Sequence, residues 1–252
     1  MQDWAVVTGC RGPVGGSLVS RLQGAGFHVL GTDCIQHHDG DPGPVVASGA
    51  TEFEYLPMDL SSPTAVEAGI KAITSRIPSI TVLVNNAAIT NPVERRAAER
   101  SVAEDFSLAF QVNATAPYLL SIGLMPLLEQ SSQPSIVNVA SIYGLVGPVP
   151  NLYKGTSMGV SPAYAASKGA LVQITRYLAT VMAPRVRVNA VAPGGIARQQ
   201  PESFADRYEE RTPLGRMGSE SDVAGAVRWL AGSDARYVTG QIIAVDGGWT
   251  AW

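Results

Sequence analysis

Two side chains in Ser161-Pro162-Ala163-Tyr164-Ala165-Ala166-Ser167-Lys168 have types and spacing suited to acid–base chemistry. Tyr164 and Lys168 stand four residues apart in a stretch that reads as the start of a long helix, so both fall on one face, one turn apart. A phenol beside an ammonium group is a tuned proton donor, because the positive charge stabilises the phenolate and draws the tyrosine pKa down from about 10. Surface Tyr and Lys at this spacing are common, so the pair acquires meaning only from the elements that position it.

Those elements alternate between strand-like and helix-like runs. Trp4-Ala5-Val6-Val7-Thr8 is a short β-branched apolar run of the kind found in buried parallel strands. It leads into Gly9-Cys10-Arg11-Gly12-Pro13-Val14-Gly15-Gly16 and the helical spacing of Leu18, Val19 and Leu22. A strand, a Gly-rich turn and a helix N-terminus make an anion cradle of unpaired amides. The second strand, Phe27 to Thr32, ends at Asp33, either a carboxylate for the ribose hydroxyls of a dinucleotide or a loop-capping aspartate. An exposed Gly/Pro/Asp-rich loop spans His37 to Thr51. A third strand, Phe53 to Met58, leads to Asp59-Leu60, and Ser62-Pro63 opens a helix that runs to about Arg76. The fourth strand, Thr81 to Val84, ends in Asn85-Asn86-Ala87-Ala88, small residues that leave room for a ligand. A long helical region from about Val102 to Leu128 carries Asn113, is bent by Pro117 and stops near Pro126. Strands follow at Ser135–Val139, with Ser141 just beyond, at Val186–Val191 before Pro193-Gly194-Gly195, and at Gln241–Val245 before Asp246-Gly247-Gly248. With no repeat and no long linker, the pattern predicts an α/β fold. It is a single doubly wound Rossmann domain over residues 1–252 with a seven-stranded, mostly parallel sheet flanked by helices.

Composition narrows the function classes. The chain has 252 residues, 46% of them hydrophobic, and a formal net charge of −3, which gives no general attraction to nucleic acid or anionic membrane. No apolar stretch reaches the ~18 residues that a membrane span needs. Met1 to Asp3 run straight into the first strand, so no signal peptide is expected. Cys10 and Cys34 make no disulfide framework, which suits a cytoplasmic protein. His28, His37 and His38 lack a metal-ligand arrangement, so no metal is expected.

Taken in order, TGCRGPVG, Asp59, NNAA, Asn113, Ser141, YAASK, RVNAVAPGG and YVTGQIIAVDGG resemble the short-chain dehydrogenase/reductase family over essentially the whole chain. The resemblance implies an NAD(P)-dependent oxidoreductase. Tyr164 would be its acid/base, Lys168 would tune Tyr164 and hold the nicotinamide ribose, Ser141 would orient the substrate oxygen, and Asn113 would anchor a water. The cofactor would meet Gly9, Arg11, Pro13, Val14, Asp33, Asp59, Leu60, Asn86, Ala87, Ala88, Tyr164, Lys168, Pro193, Gly194 and Ile196. It also implies a homotetramer, built by pairing the Asn113 and Tyr164 helices with their symmetry mates. Leu171, Val172, Ile174, Leu178 and Val181 make the latter apolar on more than one side.

Three departures from the family pattern stand out. Pro13 replaces the usual middle glycine, tolerable in the first turn of a helix. Arg198 stands where many relatives have a threonine that bonds the nicotinamide carboxamide, so that bond is either absent or supplied by Gln199-Gln200. Ser141 and Tyr164 are 23 residues apart, an insertion through Tyr143 to Ser161. Tyr153 is a rival catalytic tyrosine, but Ser157, not a lysine, follows four residues later. The insertion and GGIARQQPESFADRYEERTPLGRMG resemble a branch in bacterial surface-sugar (nonulosonic, legionaminic acid type) pathways. The substrate loops suit a polar small molecule, with reduction of a 3-oxoacyl thioester or natural-product ketone as the alternative. A catalytically silent dinucleotide sensor has no need of Asn113, Ser141, Tyr164 and Lys168 together. Asp33 favours NAD over NADP, whose 2′-phosphate would meet the carboxylate; Arg11, one residue before the position at which NADP-preferring relatives carry a cation, opposes it more weakly.

Overall fold

A computed structural model describes residues 3–34, 51–90 and 101–252. The expected His37 loop lies outside these residues up to position 50. The strands are β1 (Trp4–Thr8), β2 (His28–Asp33), β3 (Phe53–Pro57), β4 (Val82–Asn85), β5 (Ser135–Val139), β6 (Arg187–Pro193) and β7 (Ile242–Val245). They form a seven-stranded sheet in the order β3-β2-β1-β4-β5-β6-β7. Every pairing is parallel, where the sequence suggested mostly so. The order reverses between β1 and β4, and the crevice at such a reversal is where open α/β sheets bind ligands.

Side chains alternate across a strand, so each central strand feeds two cores. Val6, Leu83, Ile136 and Val188 face α2 (Pro63–Arg76) and the helices around Asn113. Ala5, Val7, Val82, Val84 and Val137 face α1 (Pro13–Gln23) and α8 (Glu220–Ala231). All of these are completely buried. Local signals set the helix starts: Ser62 Oγ accepts from the Ala65 amide at 3.3 Å. Capping boxes at Ser101/Glu104 and Ser219/Asp222 open α3 (Val102–Phe110) and α8.

The helical region expected from about Val102 to Leu128, bent by Pro117, is divided into separate helices. A π turn, Gln111–Thr115, separates α3 from α4 (Ala116–Gly123), and Pro126 lies in the opening turn of a short α5 (Met125–Leu128) rather than at a helix end. The physical reason lies at Pro117, which has no N–H for the carbonyl four residues back, that of Asn113. The helix widens there, with the Ala116 amide reaching Gln111 O, and π turns of this kind often mark functional sites. The remaining helices are α6 (Pro162–Val181) and α7 (Glu202–Glu210).

Candidate active site at the strand carboxyl ends

The turn after β1 is built for close approach. Gly9 has φ +65°, and a Cβ there would stand 2.7 Å from Ala87 Cα. Thr8 Oγ1 accepts from the Asn86 and Ala87 amides at 3.0 Å each, and Asn86 Nδ2 donates to the carbonyls of Thr8 (2.9 Å) and Gly9 (3.0 Å). The ends of β1 and β4 are thus tied together where the strand order reverses, with Ala88 exposed just beyond. Gly12 caps α1 and Pro13 occupies its first turn, so the Val14 amide lies among the helix donors that have no partner within the helix.

Asp33, at the end of β2, has its carboxylate oriented by the amides of Arg11 (3.1 Å) and Cys34 (2.8 Å). The Arg11 guanidinium lies over the Tyr55 ring, 5.5 Å from its centroid. The Arg11 amide meets Asp33, and its side chain lies over a residue that sequence reasoning missed. Asp59 is exposed and caps the following turn through the Ser61 amide, and Leu60 is buried, its carbonyl accepting from Gln111 Nε2.

The acid–base group sits on the other side of the crevice. The insertion leaves β5, makes a short turn at Ile142–Gly144, and returns through Pro150–Tyr153 to α6. Glycine at 144 lets that turn lie on α6: a Cβ would be 2.8 Å from the Lys168 carbonyl. Ser141 is thereby brought close enough to Tyr164 for its hydroxyl to act on the phenol despite their separation in sequence. Ser141 Oγ accepts from the Tyr143 amide at 3.1 Å, which leaves its proton to be donated. Lys168 Nζ donates to Val139 O at 2.6 Å and lies 5.9 Å from the Tyr164 ring centroid. Asn113 Oδ1 accepts from the Ile89 amide (2.8 Å), and its Nδ2 donates to Ile89 O (3.0 Å) and Ser167 Oγ (2.9 Å). Asn113 therefore ties the segment after β4 to α6.

Beyond Tyr164 stands a wall of aromatic residues. The Tyr153 hydroxyl bonds that of Tyr143, and the rings of Tyr153, Phe204, Tyr208 and Trp249 follow one another at centroid distances of 5.4, 6.0 and 5.9 Å. Tyr208 Oη accepts from the Gly195 amide at 2.5 Å, so α7 braces the Pro193-Gly194-Gly195-Ile196 segment after β6. Ile196 forms a lone parallel bridge with Gly218. Arg198 turns away to Glu220 (3.6 Å), while Gln200 links the Arg198 amide to Ile196 O. Sequence reasoning missed Tyr143 and Tyr208; the Gly194-Gly195 pair, which admits the Tyr208 ring, was the available signal.

One electrostatic expectation is overturned. Burial pushes the Tyr164 phenol up, against the lowering effect of the Ser141 hydrogen bond, with the charge of an ionised Tyr143 adding to the rise. Burial also pushes Lys168 down to about 7, so near neutral pH the lysine carries only part of the charge that would draw the phenol down. Among the described residues no cluster of His, Cys, Asp or Glu could hold a metal, and no helix is long and apolar enough to cross a membrane.

Comparison with known proteins points one way. The family model described as enoyl-(acyl carrier protein) reductase matches residues 12–250. The chain is 35% identical to the uncharacterized short-chain type dehydrogenase/reductase y4vI of Sinorhizobium fredii, over 97% of this chain but 43% of that protein. It is 31% identical to the 2-dehydro-3-deoxy-D-gluconate 5-dehydrogenase of Pseudoalteromonas atlantica, over 97% of this chain and 94% of the relative. A crystal structure of a short-chain dehydrogenase from Leptospira borgpetersenii with bound NAD+ superposes with a TM-score of 0.83 at 30% identity, covering 99% of this chain and 93% of that one.

The lysine makes its own demand on stability. With an ordinary value of 10.5 lowered to about 7, both folded and unfolded chains carry the charge below pH 7, and the folded chain bears the full cost of burying it. Between about 7 and 10.5 only the unfolded chain keeps the proton, so stability rises with pH across that window. Without nucleotide, the wild type should therefore gain stability relative to Lys168→Met as pH is raised from 7 to 10, read from urea midpoints. A constant difference between the two would contradict the burial argument.

Proposed function

Because the chain belongs to the short-chain dehydrogenase/reductase family and acts on an alcohol or ketone, we propose that it interconverts a secondary alcohol and a ketone on a polar small molecule. The observation that carries this is the convergence of Ser141, Tyr164 and Lys168 at the carboxyl end of β5, across the long insertion. Tyr164 Oη gives its proton to the substrate oxygen in reduction and takes it back in oxidation. Ser141 donates a hydrogen bond to the same oxygen and orients it. Lys168, when charged, favours the phenolate and so eases proton release. Asn113 holds α6 in place through Ser167. A bound nicotinamide dinucleotide supplies the hydride donor or acceptor.

The residues present fit such a cofactor. The cradle at Gly9, Gly12, Pro13 and Val14 suits a pyrophosphate, Asp33 the adenosine ribose, Asp59 and Leu60 the adenine, and Asn86, Ala87 and Ala88 the crevice floor. Pro193, Gly194 and Ile196 take the nicotinamide end. Asp33 makes NAD the preferred form. A sugar derivative suits the hydroxyls of Tyr143 and Tyr153, and the surface-sugar class is the finer reading of the insertion. Similarity to 3-oxoacyl-(acyl-carrier-protein) reductases and to a polyketide ketoacyl reductase favours a second reading, reduction of the ketone of a 3-oxoacyl thioester or natural product. For assembly, Val102 on α3, Ile122 on α4, and Tyr177 and Val181 on α6 are exposed large apolar side chains, available for contact with another copy in a homotetramer.

Three measurements test this reading. Tyr164→Phe should retain fold and nucleotide affinity and lose roughly 10²–10⁴-fold in turnover with an accepted substrate, a far larger loss than in Tyr153→Phe, which removes only a substrate contact. Near-normal turnover in Tyr164→Phe would remove the assignment. The ratio of kcat/KM for NAD over NADP should exceed one in the wild type and fall in Asp33→Ala; an unmoved ratio argues against the carboxylate as selector. Light scattering should give a tetramer, and a monomer at assay concentration would refute the assembly.

A further inference from the structure

Arg11 and Asp33 press the nucleotide choice in opposite directions, yet they share one corner of the fold. The Arg11 amide is 3.1 Å from Asp33 Oδ2, so the arginine side chain is hinged beside the carboxylate that would receive the ribose. A guanidinium hinged there can turn towards a 2′-phosphate and offer it a forked, charge-assisted contact. In this structure it turns the other way, onto the face of Tyr55.

We propose that Tyr55 is a positioning residue that sets nucleotide preference by holding Arg11 on its ring, away from the ribose 2′ position. The ring is well placed to do so. Tyr55 lies on the edge strand β3, paired with Gly31 of β2, and its hydroxyl donates to the Asp33 carbonyl at 3.3 Å. The absence of a side chain on Gly31 leaves that face of β2 to Cys10 and the Phe53 ring, with Tyr55 packed against the same core. Arg76 Nη1 donates to the Tyr55 carbonyl at 3.4 Å and adds a backbone tether from α2. The result is a fixed aromatic face with a cation above it, an attraction that strengthens as the pair leaves water. NADP would have to compete with that ring for Arg11, in addition to meeting Asp33. The inference rests on the assignment of Asp33 to the adenosine ribose.

The test uses the full-length protein and needs no substrate. Dissociation constants for NADH and NADPH, read from nucleotide fluorescence, are compared in wild type, Tyr55→Leu, Arg11→Ala and the double variant. In Tyr55→Leu the affinity for NADPH relative to NADH should rise about two- to fivefold, the value of freeing one cation–π contact. Arg11→Ala alone should leave the ratio within about twofold of wild type, because Arg11 is already withdrawn from the ribose. In the double variant the effect of Tyr55→Leu should vanish. An unchanged ratio in a Tyr55→Leu protein of native circular dichroism overturns the proposal. So does an equal shift in the absence of Arg11, or a large loss of NADPH affinity in Arg11→Ala, which would place Arg11 on the phosphate already and needs no tyrosine variant to fold. A wild type that binds neither nucleotide overturns the dinucleotide reading itself, before any variant is compared.

Discussion

The ammonium of Lys168 is 1% exposed and rests on a single backbone carbonyl, that of Val139. A charge removed from water demands a partner, and here the partner is the last residue of a strand rather than a carboxylate. The distance from α6 to β5 is therefore tightly constrained, and much of the surrounding polar structure serves to hold it. Asn85 donates to Asn138 across the paired strands at 2.8 Å, Asn138 donates to Thr175 of α6 at 2.8 Å, and Thr175 donates to Leu171 O. Asn113 fixes the same helix one residue before Lys168. This chain of linked buried amides and hydroxyls, in which Asn85 Oδ1 has no partner among the described residues, specifies one arrangement where an apolar contact would permit several.

The two sides of the crevice are made from different materials. On the nucleotide side the working groups are backbone: the Gly9 turn, the opening amides of α1, and the Thr8–Asn86 ties that hold two strand ends together. Around Tyr164 they are side chains, the phenols of Tyr143, Tyr153 and Tyr208, brought in by the insertion and by α7. A backbone cradle recognises a constant feature, a diphosphate, whereas a side-chain wall can be altered residue by residue. This division suits a family in which one cofactor meets many alcohols and ketones.

The strands were legible because buried parallel strands are short apolar runs with punctuation at their ends, and all seven recur within one or two residues of their expected limits. Tyr164 and Lys168 stood out by type and spacing, and Ser141 and Asn113 through the family resemblance; the first three lie just beyond the end of β5 or on the helix packed over it. What was not legible depended on three-dimensional surroundings. Pro117 announced a distortion, but its effect on the carbonyl of Asn113, four residues earlier, produced a π turn rather than a bend. The Tyr164–Lys168 spacing suggested mutual charge stabilisation, yet burial dominates both groups, since desolvation is a property of everything packed around them. Tyr55 lay in a strand with nothing to mark it, and only the pairing of β2 with β3 brings it under Arg11.

The aromatic wall has a consequence for how the molecule breathes. Ile142, Leu152, Phe204, Tyr208, Met217 and Trp249 form a buried cluster that draws no residue from any of the seven strands and stays separate from the cores on the two faces of the sheet. Such a cluster is a cooperative unit of its own, able to open at a lower free energy than the sheet beneath it. A cap that opens ahead of the sheet would leave the strands, the Lys168 anchor and the Gly9 turn in place.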